Sequence, residues 1–253
     1  MKTHIKNQFT SLGVARARSR RLSAVASVRR RILPTLIAGL GWMMATSAPA
    51  QTFTTLYRFT ATSDGAFSLA GLLLSGNTLY GTAYKGGASD EGTVFAVNTD
   101  GTGFTNLHSF TAVHNRTNSD GANPYAGLIL SSNTLYGTAY LGGGSGGDYG
   151  SGTVFAVNTD GTGFTNLHTF TADEGLGLPN SDGAGPLCCL LLSGDTLYGT
   201  ANKGGSSDQG TVFAVNTNGT GFTNLHSFTA LSGGTNSDGA NPCAGLILSG
   251  NTL

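Results

Sequence analysis

The chain has 253 residues and a formal charge of zero, but that neutrality is the sum of two unlike segments. Residues 1–50 hold nine of the thirteen basic side chains and no acid, whereas residues 51–253 hold all thirteen acids against Arg58, Lys85, Arg116 and Lys203, a formal −9. A segment of that sign repels phosphate, which argues against nucleic acid as a partner, and the 40 glycines show no three-residue period, which excludes a collagen-like chain.

The first segment reads as a targeting leader. Its arginine-rich start ends at Arg29-Arg30-Arg31, an apolar run follows from Ile32 to Ala45, and small residues stand at Ala48-Pro49-Ala50. That order of features is the pattern of a cleavable secretory signal, with cleavage expected after Ala50 and a secreted or cell-surface product. A membrane anchor would need about 20 apolar residues, and this run is shorter and interrupted by Pro34, Gly39 and Gly41. No second apolar segment follows, so no membrane span is expected in 51–253.

Next come repeats. Gly92–His108 recurs unchanged at Gly152–His168, and again at Gly210–His226 with only Asn218 in place of an aspartate. The aspartates of Ser-Asp-Gly-Ala stand at 64, 120, 182 and 238, spaced by 56, 62 and 56 residues, so length varies in loops while the conserved blocks keep register. The repeats run over about 64–119, 120–181 and 182–237, with partial copies at 53–63 and 238–253. Phe53–Thr60 matches Phe104–Thr111, the final segment of a repeat.

Each repeat predicts four strands and almost no helix. Two short apolar runs flank Ser75-Gly76-Asn77, as a tight hairpin allows. Thr93–Val97 and Phe104–Phe110 flank Asn98-Thr99-Asp100-Gly101, where Asp-Gly supplies the positive φ of a chain reversal. In Thr93–Val97, Phe95 and Val97 point one way and Val94 and Ala96 the other, so both faces are apolar and both need cover. Stacking each sheet between its neighbours supplies that cover, and a radial arrangement of such sheets is a β-propeller. The expected fold is therefore all-β, a propeller of four-stranded blades forming an open fragment of a larger ring. A β-solenoid is the structural rival, though its coils are usually shorter than four strands. In an intact ring, Phe53–Thr60 would complete the last blade. Without further blades, exposed apolar faces are expected at both ends.

Leu-Tyr-Gly-Thr-Ala, the Gly86-Gly87 pair, Gly-Thr-Val-Phe-Ala-Val-Asn-Thr-Asp-Gly and Leu-His-Ser-Phe together resemble the GloVer tandem repeat over nearly all of residues 53–253. That resemblance implies export and attachment to a surface, and carries no catalytic residues. The double glycine is also similar to that of kelch blades, but the tryptophan expected there is missing, since the one tryptophan, Trp42, lies in the leader.

Candidate chemistry is sparse. Asp64, Asp120, Asp182 and Asp238 fall on loops between successive blades and so on one rim, where they are candidates for binding a cation or polar ligand; the competing reading has each carboxylate bonding backbone amides two residues on in its own turn. Asn98–Gly101 looks like part of a calcium loop, but Ala96 stands where an acid is needed, so no cofactor is assigned and a turn is the simpler reading. His108, His168 and His226 occupy equivalent strand positions, and Tyr57 replaces them in the first fragment. A packing aromatic tolerates that exchange and a metal ligand does not. Asp90 with Glu91, Asp173 with Glu174, and His114 with Arg116 read as solvated loop groups. Cys188, Cys189 and Cys243 read as small buried residues, with a bridge to Cys243 as the alternative. No nucleophile elbow or paired catalytic carboxylates occur.

The function expected is a non-enzymatic exported scaffold, binding surface glycan or protein through loops 113–124, 173–186 and 231–242, which differ while the strands repeat. A carbohydrate-active enzyme or lectin and a cation-dependent surface-layer protein are the alternatives.

Overall fold

The computed structural model describes residues 52–60, 63–115, 117–144, 151–171 and 180–253. The chain divides into two units, Met1–Gln51 and Thr52–Leu253, and every described residue belongs to the second. The leader and its cleavage point lie outside the described residues, as do Arg116, Asp173 and Glu174.

Among the described residues all regular structure is β. Twelve strands form three antiparallel sheets of four, each wound in simple sequence order. The first sheet holds β1 (Leu73–Ser75), β2 (Thr78–Ala83), β3 (Thr93–Asn98) and β4 (Thr105–Ser109). The second holds β5 (Ile129–Ser131), β6 (Thr134–Ala139), β7 (Thr153–Asn158) and β8 (Thr165–Thr169). The third holds β9 (Leu191–Ser193), β10 (Thr196–Ala201), β11 (Thr211–Asn216) and β12 (Thr223–Ser227). These are the expected four-stranded blades, one to a repeat.

Local chemistry sets each turn and register. Ser75 pairs with Thr78 across Gly76-Asn77, and the residue at the bend has positive φ in every copy: Gly76, Ser132 and Gly194 at 57°, 53° and 58°. A bulge after Val94 re-aims β3 against β4, and recurs after Val154 and Val212. In the loop between those strands the Asp100 side chain accepts from the Thr102 amide and hydroxyl at 2.9 and 2.7 Å. Asn218 makes the same two bonds to Thr220 at 3.0 and 2.7 Å, which is why amide replaces acid there without cost to the turn.

The glycine inside β6 has a packing cause. Gly137 stands opposite Phe155, whose ring would lie 2.6 Å from any added Cβ. The bare backbone is the seat of the aromatic ring, and the same pairing recurs in each blade.

Both faces of the middle blade are covered. Tyr80, Val94, Ala96, Leu107 and Phe110 of the first blade pack on Leu128, Leu135, Phe155 and Val157 of the second. Tyr136, Val154, Leu167 and Phe170 of the second pack in the same way on Leu190, Leu197, Phe213 and Val215 of the third. Each fully buried Phe or Leu of this kind stabilises by about 1.5–3 kcal/mol. Polar ties add direction: Thr82 Oγ1 donates to the Ala126 carbonyl at 2.9 Å, and the Asn123 amide to the Glu91 carbonyl at 2.7 Å. The segments leading into the first strands converge, with Gly127 set between the Gly71 carbonyl and Cys189. The sheets are therefore blades arranged radially, and they do not close a ring.

The two ends are open as expected. Leu72 and Leu74 are 47% and 59% exposed on one, and Leu225 is 47% exposed on the other, where its counterparts Leu107 and Leu167 are 8%.

Candidate functional site

The four rim aspartates share one environment, built where each outer strand ends. Asp120 Oδ2 lies 2.9 Å from His108 Nε2 and accepts the Thr111 amide, while Oδ1 accepts the Thr111 hydroxyl. A carboxylate only accepts, so Nε2 carries the proton. Asp182 repeats the arrangement with His168 and Thr171, and Asp238 with His226 and Thr229. Asp64 does so with Tyr57 Oη at 2.8 Å and Thr60 at 2.9 and 2.7 Å. The expected self-contained turn is thus corrected: these carboxylates reach back 4 to 14 residues to the preceding strand rather than two residues onward. The carboxylate needs donors and the strand end supplies three, which a short turn cannot match.

Electrostatics follow from those bonds. Burial tends to raise Asp64, but donors from Thr60 and Tyr57 outweigh it and hold the carboxyl at about 2. Burial likewise opposes, and the His and Thr donors outweigh, at Asp120 and Asp182, which sit below the ordinary carboxylate range. At Asp238 the Thr229 hydroxyl is the main cause of the same lowering.

The histidines are packing aromatics with a second task. His108 lies flat on Phe164 of the next blade at 3.6 Å between ring centroids, and His168 on Phe222 at 3.5 Å. Tyr57 takes the same place on Phe104 at 3.8 Å. One ring thus ties its own loop by a hydrogen bond and the neighbouring blade by stacking. Sequence reasoning found the packing and missed the bond, although in all three repeats Leu-His-Ser-Phe-Thr, or Leu-His-Thr-Phe-Thr in the second, is followed by Ser-Asp-Gly-Ala.

Other expectations resolve residue by residue. Asp90 is more than a solvated charge, because Oδ1 accepts the Gly86 amide at 2.8 Å, and Glu91 pairs with Lys85 at 3.8 Å. His114 closes a small turn by backbone bonds to Thr117. Cys188 is buried, and burial pushes its thiol up. Cys189 and Cys243 are exposed, which corrects their reading as buried residues, and all three thiols are free. Cys189 takes the position held by Gly127 and Gly245, and its thiol lies beside Gly127 where the segments leading into the first strands converge.

A concave surface lies elsewhere. Tyr84, Tyr125, Tyr140, Leu187 and Cys243 line a cleft of about 430 Å³. Tyr84 and Tyr140 immediately follow β2 and β6, whereas Tyr125, Leu187 and Cys243 each follow a proline at the same point of successive repeats. No single repeat could build it. Tyr84 meets Tyr125 edge to face at 5.9 Å, and Lys85 Nζ stands 5.7 Å from the Tyr84 ring centroid. None of the four rim aspartates lines this cleft. The signal for it was present as Tyr84 and Tyr140 against Asn202, and Leu69, Tyr125, Leu187 and Cys243 at one register, but a one-dimensional reading does not show that the two series meet.

Among the described residues no three His, Cys, Asp or Glu side chains gather in a metal-holding group, and no helix is long and apolar enough to cross a membrane. No curated protein matches the chain. A model of the Gloeobacter/Verrucomicrobia repeat matches residues 37–146 and again 111–253. With that repeat spanning the blades and their bonded loops, the chain belongs to the Gloeobacter/Verrucomicrobia repeat family.

Proposed function

We propose that this repeat protein is an exported, non-enzymatic scaffold that binds a component of the cell surface at the junctions of its blades. One observation carries the reading: on a frame whose strands repeat almost letter for letter, the tyrosine cleft is built from the positions that differ between copies. Variation concentrated on a fixed scaffold suits recognition. The carboxylates that could act as acids or bases are engaged in holding loops, and the cleft is lined by phenols, a leucine and a thiol.

Binding to intact cells and extracted envelope by purified 51–253, compared with a Tyr84→Ala/Tyr125→Ala variant, tests it. Retention of wild-type binding by that variant would contradict a role for the cleft. Export is proposed from the leader, and amino-terminal sequencing of the secreted product should begin at Gln51. A lectin is the second reading, favoured by the partly exposed tyrosyl rings, on which sugar rings can stack. Glycan-array binding that disappears with the same variant selects it. A cation-dependent surface role predicts a higher melting temperature with calcium, since a ligand of the folded state must stabilise it. An unchanged value removes that reading.

A further inference from the structure

Phe53–Thr60 matches the sequence of a fourth strand, Phe104–Thr111, yet belongs to none of the three sheets. Tyr57, Thr60 and Asp64 reproduce the bonds of His108, Thr111 and Asp120. Tyr57 stacks on Phe104 as His108 stacks on Phe164. The Gly101 loop leans on Leu56 as the Gly161 loop leans on Leu107. The segment therefore sits on the first blade as β4 sits on the second, yet among the described residues no strand pairs with it.

What is missing can be read from the complete blades. In those, the fourth strand pairs with the third: Thr93 with Ser109, Val94 with His108, Phe95 with Asn106 and Ala96 with Thr105. Phe95 also stacks on Phe104 of its own blade at 5.6 Å. Phe53, the counterpart of Phe104, is 93% exposed. Leu72 is 47% exposed where Leu128 and Leu190, its counterparts, are 6% and 5%. Those two are covered by the Tyr and Val of a preceding second-and-third-strand hairpin. A cleft of about 370 Å³, lined by Leu56, Leu72, Leu79 and Phe95 among others, occupies the corresponding space on the first blade.

We propose that this edge and cleft form a docking site for one kind of partner, the second-and-third-strand hairpin of a further repeat of this sequence type, lacking a fourth strand of its own. It would pair along Thr54–Arg58 in the register of β3 on β4 and set its Tyr, Val and Ala into the cleft. Main-chain bonds would give affinity and the alternate side chains specificity, as in strand addition to a sheet edge. A second copy of this chain does not fit, because β3, β7 and β11 each already carry a fourth strand on the edge that would be needed.

The probe is a synthetic peptide copying Thr78–Asn98, titrated against the purified chain. The expected result is saturable one-to-one binding with slowed hydrogen exchange at Thr54–Arg58. Thr55→Pro removes one edge donor from an exposed residue and leaves the Tyr57–Asp64 anchor intact; it should weaken binding about tenfold or more while the melting temperature stays unchanged. A peptide with the copies of Val94→Lys and Ala96→Lys should not bind. Absence of binding, equal binding by Thr55→Pro, or protection of the same amides by self-association of the chain alone would each overturn the proposal.

Discussion

At the scale of single residues, the most informative groups are those whose surroundings exceed what a loop residue requires. Asp120 satisfies an imidazole, an amide and a hydroxyl at once, so Asp120→Ala leaves donors unpaired at a buried site and should cost about 1–3 kcal/mol, read as a lower denaturation midpoint. Asp238→Ala, at the exposed end, should cost less. The native carboxyls lie below the unfolded value of about 3.9, so their contribution is present above that pH and is lost as pH falls through the native values, near about 2 for Asp64. Melting temperature should therefore drop between about pH 4 and 2, and drop less in an Asp120→Ala/Asp182→Ala variant; an unchanged slope would contradict the assignment. Phe67 supplies the opposite sign. It holds φ at 56° where Asn123, Gly185 and Asn241 stand in later copies, and its ring is 68% exposed. Phe67→Asn should raise stability by about 1 kcal/mol, because a residue at ease in that left-handed region replaces one that is not and little burial is lost.

At the scale of strands and turns, the sequence was legible where the physics is local. Alternation in Thr93–Val97 announced two apolar faces, and both are covered in the middle blade. Asp-Gly and Ser-Gly-Asn announced reversals at their true positions. The candidate sites were less legible because they depend on contacts across repeats. The partner of Asp182 lies 14 residues back on another strand, and the tyrosine cleft draws on four successive copies. The bulge after Val94 was equally hidden, since no residue type marks it. The glycine of Leu-Tyr-Gly-Thr-Ala offers a test at this scale. Gly137→Ala puts a methyl against the Phe155 ring and should cost about 1–3 kcal/mol by overpacking. Adding Phe155→Leu should recover part of that loss, and a variant as stable as the parent would show that the ring does not need the bare backbone.

At the scale of the whole molecule, each repeat is stable because of its neighbours. The third blade repeats the strands of the second almost unchanged, yet Leu225 is 47% exposed where Leu167 is 8%, because among the described residues nothing covers its far face. Stability in such an array is a sum of unit and interface contributions, so identical sequences should differ in protection according to position. Binding at blade junctions, if it stiffens them, would be felt first in the interior. Amide hydrogen exchange in β8 and β12 compares the same four residues, Thr-Asn-Leu-His, in the two settings. Slower exchange in Thr165–Thr169 than in Thr223–Ser227 is the result that obligatory stacking predicts, and equal rates in the two strands would show the repeats to be independent units and contradict it.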